Sequence, residues 1–203
     1  MSLELSTAPI PQRFQHLLKA TSSQRFLKME GLNNDIPFFI CHYEVKEALE
    51  FLELQENLKQ KLSQAGIKIL EVNLYDLAVE ILKTNGDWQD LLDAEAEVSK
   101  QELKEELQSI LEPASHLVPA IKQKMDQQDF DILFLSGIGE VFPYLRSHNI
   151  LNNLQSTAKD RPTLLFFPGS YTHSLEDGAS LDLFGRLHDD KYYRAFDIYN
   201  FEV

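Results

Sequence analysis

Short apolar runs separated by helical periodicity constrain the fold of this chain more than any other feature. Four strands are predicted, at residues 36–41, 67–72, 132–135 and 163–167. Several of them are apolar without alternation, whereas a strand with one face in water alternates between polar and apolar residues. The pattern therefore predicts an α/β fold, a three-layer αβα domain in which helices cover both faces of a mostly parallel sheet.

The intervening segments have the periodicity of the covering helices. Helices are predicted at residues 45–65, 75–84, 88–112, 117–128 and 143–158. Ser99 and Glu102 have the spacing of a capping box, and Pro143 suits the first turn of the last helix. These local signals support the division into helices that the periodicity indicates.

The domain organisation follows from these elements. Residues 1–9 are predicted as a flexible N-terminal tail, and residues 10–203 as a single α/β domain. Within it, residues 88–128 form a helical insert whose first part is acidic. Residues 170–191 are polar and rich in turns, and a last strand is predicted at 194–201.

The charge of the chain is concentrated in its middle third. The net charge is −13, and residues 44–112 hold 17 acidic and 7 basic residues, which is a net −10. An acidic face repels nucleic acid and attracts basic proteins, so we expect a protein partner and no direct nucleic-acid binding. With no long apolar run, no leader-like start and one cysteine, we expect a cytoplasmic protein without a membrane segment.

No complete nucleotide-binding motif is present. The chain contains no Gly-Lys pair, which a phosphate loop requires. Gly137 and Gly139 follow a predicted strand, but Phe142 stands where a dinucleotide fingerprint has its third glycine. A tight turn is the favoured interpretation, and a degenerate nucleotide sensor stays open as an alternative.

Catalytic and metal sites are weakly indicated. Cys41 and His42 are neighbours on a predicted strand, so their side chains point to opposite faces and form no dyad. Four residues of the polar C-terminal stretch could bind a divalent ion or act in acid–base chemistry: His173, His188, Asp189 and Asp190. A polar network that fixes loops at the strand ends is favoured, and a metal-dependent enzyme or nucleic-acid processor stays open. No cofactor is predicted.

Aromatic residues crowd the C-terminus and yield candidates for partner binding. Core packing is the favoured interpretation of this segment, and a strand that faces a partner is the alternative. Polar and aromatic residues that follow the third predicted strand join the candidates. The full set is Glu140, Phe142, Tyr144, Arg146, Tyr192, Tyr193, Phe196, Tyr199 and Phe201.

Seven segments, spread over the chain, resemble one known family. They lie at 25–32 (RFLKMEGL), 36–41 (IPFFIC), 72–77 (VNLYDL), 139–148 (GEVFPYLRSH), 166–169 (FFPG), 178–187 (GASLDLFGRL) and 192–196 (YYRAF). Together they resemble the BrxB family of type 1 BREX (bacteriophage exclusion) defence systems. The resemblance covers about residues 13–201.

The resemblance implies a context more than a chemistry. Type 1 BREX loci also encode a DNA methyltransferase, a large ATPase and PglZ, a protein of the alkaline-phosphatase superfamily. The family resembles, in outline, P-loop-type nucleotide-binding folds that lack the phosphate loop, and it transfers no catalytic residues. We therefore expect a non-catalytic adaptor, not an enzyme, that binds another BREX protein, with PglZ as the expected partner.

Overall fold

A mostly parallel sheet forms the centre of the molecule. The computed structural model describes residues 5–31, 37–174, 178–188 and 195–203. Its strands are β1 (Phe38–Tyr43), β2 (Ile69–Asn73), β3 (Ile132–Ser136), β4 (Thr163–Ser174), β5 (Gly178–Leu183), β6 (Leu187–His188) and β7 (Phe196–Asp197). Five of these lie parallel in the order β2-β3-β4-β1-β7. The α/β class and the four apolar strands predicted from the sequence are confirmed.

Eight α-helices accompany the sheet in the described part of the chain. They are α1 (Ile10–Ser22), α2 (Gln24–Leu27), α3 (Ala48–Gln64), α4 (Leu74–Asn85), α5 (Asp87–Ala94), α6 (Lys100–Ile110), α7 (Val118–Gln127) and α8 (Ser147–Leu154). Single turns add Leu5–Thr7, Val45–Glu47 and Ile198–Asn200 as 3-10 helix and Pro113–Leu117 as π-helix. No helix in the described residues is long and apolar enough to cross a membrane.

Local capping signals explain where several helices begin and end. The Asn73 side chain accepts hydrogen bonds from the backbone N–H groups of Tyr75 and Asp76 and so begins α4. Gly86 ends the same helix in the left-handed region, at φ +90°. The predicted capping box of Ser99 and Glu102 is present at the start of α6, with both reciprocal bonds formed.

Alternate residues of each central strand point into two separate hydrophobic clusters. In β1, Phe38 and Ile40 belong to the first cluster, and Phe39 and Cys41 to the second. The first cluster includes residues of α4, α7 and α8, whereas the second includes residues of α1, α2 and α3. Both faces of the sheet are thus buried by helices, which is why its central strands are largely apolar, whereas the edge strand β2 leaves Glu71 exposed.

The polar stretch 170–191, predicted to be rich in turns, contains a β-hairpin. The prediction is wrong for the residues of this hairpin, which belong to β4 and β5. Beyond Pro168, β4 continues and pairs antiparallel with β5, which in turn pairs with β6. Leu181 and Leu183 alternate along β5 and enter the first cluster. Their burial on one face stabilises a strand that has few apolar residues.

Two further boundaries differ from the prediction. The last strand comprises only Phe196–Asp197, because Asp197 then caps the 3-10 turn Ile198–Asn200. Pro143 does not begin a helix: it lies in a separate turn closed by Val141, whose carbonyl oxygen accepts from Tyr144 and Leu145. Its peptide bond to Phe142 is cis.

The predicted N-terminal tail is only partly described. Residues 5–9 pack on the domain, with Ala8 buried, and residues 1–4 lie outside the described residues.

Candidate functional site

An open apolar groove lies beside the carboxyl ends of β2 and β3. We call it the α4–α6 groove, because its walls are α4, α5 and α6 together with the loop 137–146 that follows β3. Its volume is about 270 Å³. It is lined by Tyr75, Val79, Leu82, Trp88, Leu91, Leu92, Glu95, Leu103, Leu107, Leu111, Glu140, Val141 and Tyr144. In open α/β sheets this edge is the usual place for binding.

The base of the groove is packed and its rim is exposed. Leu111 and Val141 are buried in the first cluster, and Trp88 packs against it with the Lys83 ammonium 5.1 Å from its ring centre. At the rim, Tyr75 and Leu92 each leave 47% of their surface exposed. Large apolar side chains this exposed, lining one concavity, are typical of interaction surfaces.

Helices α5 and α6, on one side of the groove, carry negative charge without ion pairs in the described part of the chain. Residues 87–112 hold nine acidic and two basic residues, which is a net −7. Glu95 and Glu140 line the groove itself, and four more acids line the adjoining cleft between α5 and α6: Asp87, Asp90, Glu102 and Glu106. Among the described residues, none of these acids forms an ion pair. The groove thus offers an apolar base within a negative rim.

The two glycines of the loop after β3 are explained by side-chain packing. Gly137 has φ +76°, and a Cβ atom there would collide with the Asn73 side chain. At Gly139 a Cβ atom would lie 2.9 Å from the rings of Phe184 and Pro168. The next helix, α8, begins only at Ser147. The glycines make room for protein groups, and no helix N-terminus follows them directly, as phosphate binding at such a turn requires.

The four predicted partner-binding residues of this loop are spread over its length. Glu140, which is exposed, and Tyr144, which is half-buried, both line the groove. Phe142 packs edge-to-face on Phe184, with 6.4 Å between ring centres. Arg146 is exposed and immediately precedes α8. The structure therefore brings two of the four together in the groove.

The described aromatics of the C-terminal segment pack on the second hydrophobic cluster. The Phe201 ring lies edge-on to Phe39, with 5.6 Å between ring centres, and Phe196 lies 5.8 Å from the same ring. Tyr199 is 6% exposed, and its hydroxyl donates to the carbonyl oxygen of His42 at 3.1 Å. This core packing leaves Tyr199 inaccessible to a partner in this structure. Tyr192 and Tyr193 lie outside the described residues.

A polar network at the end of β1 holds this segment in place. The His42 Nε2 atom lies 3.6 Å from an Asp197 carboxylate oxygen. The Tyr171 hydroxyl donates to the carbonyl oxygen of Ala195 at 2.9 Å. The Cys41 Sγ atom lies 3.4 Å from the Tyr199 hydroxyl, and burial raises the pKa of this thiol to about 12. Because a protonated, fully buried thiol is a poor nucleophile, Cys41 has a structural role here.

The predicted metal candidates remain a prediction. Asp189 and Asp190 lie outside the described residues, as do the side chains of His173 and His188. In the part of the chain that the structure describes, no three His, Cys, Asp or Glu side chains are grouped so that they could hold a metal ion.

Sequence reasoning missed a buried ion pair near this network. Arg13, 2% exposed, donates from its two terminal nitrogens to the two carboxylate oxygens of Glu47, at 2.6 and 3.1 Å. Burial opposes the charge, yet the bonds to Glu47 raise the pKa of Arg13 and lower that of Glu47. The two residues lie 34 positions apart, so no local pattern could predict that they meet.

The α4–α6 groove could have been predicted in part from the sequence. Three large apolar residues, Trp88, Leu91 and Leu92, interrupt an acidic segment.

Comparison with known proteins assigns the chain to a family. A family model described as "BREX protein BrxB" matches residues 70–198. A "BREX protein BrxB" of Bacillus cereus (strain H3081.97) is 35% identical over 194 residues, which cover 93% of this chain and 97% of that protein. The chain belongs to the BrxB family. A second BrxB, of Escherichia coli O9:H4 (strain HS), is 27% identical over 184 residues, which cover 91% of this chain and 88% of that protein.

Family membership confirms the resemblance that the seven sequence segments indicated. No solved structure matches this BrxB-family chain. The matched segment 70–198 includes every residue that lines the α4–α6 groove, whereas Arg13 and Glu47 lie before it. The groove is thus part of the region by which the family is recognised.

Proposed function

We propose that this BrxB-family chain serves bacteriophage exclusion as a non-catalytic adaptor that binds another BREX protein, with PglZ as the expected partner. The α4–α6 groove carries the proposal: it is open, apolar at its base and lined by two of the residues predicted to bind a partner, Glu140 and Tyr144. Exposed apolar area of this kind is costly in a monomer and is used where a protein partner covers it.

The geometry elsewhere gives less support to a nucleotide sensor and to a cysteine nucleophile. The packing of Gly137 and Gly139 accounts for the glycines on which a nucleotide sensor would rest. The raised pKa of Cys41 and its contact with Tyr199 leave it without the activation that a nucleophile needs. We regard the fold as similar in outline to a P-loop-type nucleotide-binding fold without its phosphate loop, reused for protein binding.

Co-elution tests the adaptor directly. The purified chain is mixed at moderate salt with each BREX protein of its own locus in turn and analysed by size-exclusion chromatography. We expect it to co-elute with PglZ. Failure to co-elute with every BREX protein contradicts the adaptor, and co-elution with another component while PglZ elutes alone corrects the identity of the partner.

A further inference from the structure

The α4–α6 groove is small and open compared with a typical small-molecule site. Its volume of about 270 Å³ lies below the roughly 300–1,000 Å³ of such sites, and Tyr75 and Leu92 leave its rim open to solvent. A small, open, apolar concavity suits a few side chains that project from a protein segment. The occupant is therefore best sought among protein segments.

The walls of the groove favour a helix as that segment. Every lining residue lies on α4, α5, α6, the residue that follows α5 or α6, or the loop 137–146. Because none of them belongs to a strand, the groove offers no free sheet edge to which an extended peptide could add. An amphipathic helix needs no such edge, since it places anchors at positions i, i+3, i+4 and i+7 into a groove between helices.

The charge of the rim specifies the polar face of that helix. Glu95 and Glu140 line the groove, and the adjoining cleft adds Asp87, Asp90, Glu102 and Glu106, none of them in an ion pair within the described residues. Unneutralised carboxylates around an apolar base attract a segment whose flanks carry Lys or Arg. They repel nucleic acid and anionic membranes.

We infer that the α4–α6 groove binds a basic amphipathic helix of the partner protein. Apolar side chains on one face of this helix pack on Tyr75, Leu92 and the groove base, and its Lys or Arg residues lie opposite Glu95 and Glu140. The inference rests on the proposed adaptor function and adds to it both the binding surface and the chemistry of the partner's segment.

A pair of designed peptides tests the chemistry. Both are helices of about 18 residues with Leu at i, i+3, i+4 and i+7, and their remaining positions are mainly Lys in one and mainly Glu in the other. Binding of the labelled peptides to the full chain is followed by fluorescence anisotropy. We expect the Lys peptide to bind at least about tenfold more tightly than the Glu peptide, and its Kd to rise with salt.

A matched pair of variants tests the location. Leu92→Glu changes the groove rim, and Leu52→Glu changes an equally apolar residue of α3, 56% exposed, whose helix packs in the second cluster. Each adds one negative charge, so general attraction of a basic peptide is the same in both. We expect Leu92→Glu to weaken binding of the Lys peptide by about tenfold or more and Leu52→Glu to change it less than about twofold.

Two results overturn the inference: equal binding of the two peptides, or equal effects of the two variants. Circular dichroism confirms that both variants fold, and Tyr75→Ser is a second groove variant should Leu92→Glu not fold. The co-elution experiment separates the inference from the adaptor. If wild type and Leu92→Glu co-elute equally with the partner, the groove is wrong and the adaptor stands. If wild type co-elutes with no BREX protein, the adaptor itself fails.

Discussion

At the scale of single residues, Arg13 shows how strongly one buried charge is coupled to its surroundings. Its guanidinium binds both carboxylate oxygens of Glu47 and the carbonyl oxygen of Ser6, and it lies 4.9 Å from the centre of the Phe51 ring. Burying the Arg13 charge costs free energy, and this cost is offset only while these partners remain in place. Arg13 thus joins α1, the turn before α3, and the first residues of the described chain.

Replacing Arg13 by alanine should destabilise the protein strongly. The change leaves the Glu47 carboxylate half-buried without a counter-ion, and we expect a loss of about 3–5 kcal/mol in the free energy of unfolding. Urea unfolding measures this loss. Arg25→Ala is the control, because its pair with Glu202 is exposed and 3.9 Å long, and it should cost at most about 1 kcal/mol. Similar losses in the two variants contradict the structural role given to Arg13.

Cys41 should be unreactive in the folded protein. Burial raises the pKa of its thiol to about 12 from its ordinary value of 9.0, so the thiol stays protonated at pH 7–9. We expect labelling by a thiol reagent to be slow over this range in the native state, and its rate to keep rising with pH up to pH 9 without levelling off. In urea the rate should rise and follow the ordinary thiol titration. Fast labelling of a natively folded sample contradicts the buried position.

At the scale of elements, the end of β2 and the loop after β3 depend on each other. The Asn73 side chain caps α4 and also fills the space beside Gly137. Two adjacent parallel strands, β2 and β3, bring these residues together, with Asn73 opposite Ser136 in the register. The cap of one helix and the turn after the neighbouring strand therefore form one packed unit beneath the groove.

Gly137→Ala should cost more than Gly66→Ala, a change at another glycine of positive φ. Both positions are left-handed, at φ +76° and +81°, and each change brings about 1–2 kcal/mol of backbone strain. At Gly66 nothing lies within 4 Å of the added Cβ, whereas at Gly137 it displaces the Asn73 cap. We expect an additional loss of about 1 kcal/mol at Gly137, measured by urea unfolding. Equal losses contradict the coupling.

At the scale of the whole molecule, negative charge is distributed unevenly. Residues 44–112 carry a net −10 of the total −13, and the acids of α5 and α6 lack ion pairs among the described residues. The like charges of α5 and α6, which lie close together around the groove, oppose the compact state and are screened within about 10 Å at 0.1 M salt. Binding of the basic helix that we infer would relieve the same repulsion and would link folding to partner binding through the surface of α5 and α6.

Added sodium chloride should raise the Tm, by about 2–4 °C for each kcal/mol of repulsion that is screened. Glu97→Lys lowers the charge of the acidic region, and Asp160→Lys makes the same change at an exposed residue outside it. At low salt, Glu97→Lys should raise the Tm more than Asp160→Lys, and the difference should shrink as salt is added. Thermal unfolding followed by circular dichroism measures both. A Tm that falls with salt contradicts the argument.

Sequence reasoning predicts the α/β class, the four apolar strands, the capping box at Ser99 and the acidic character of the middle third, because each depends on neighbours in the chain or on composition. It missed the β4–β5 hairpin, whose signal is only Leu181 and Leu183 in a polar stretch. Long-range packing produces the pairing of Arg13 with Glu47, the contact of Asn73 with Gly137 and the α4–α6 groove. These join residues far apart in the chain, and local periodicity specifies which face of an element is buried but not which distant element covers it.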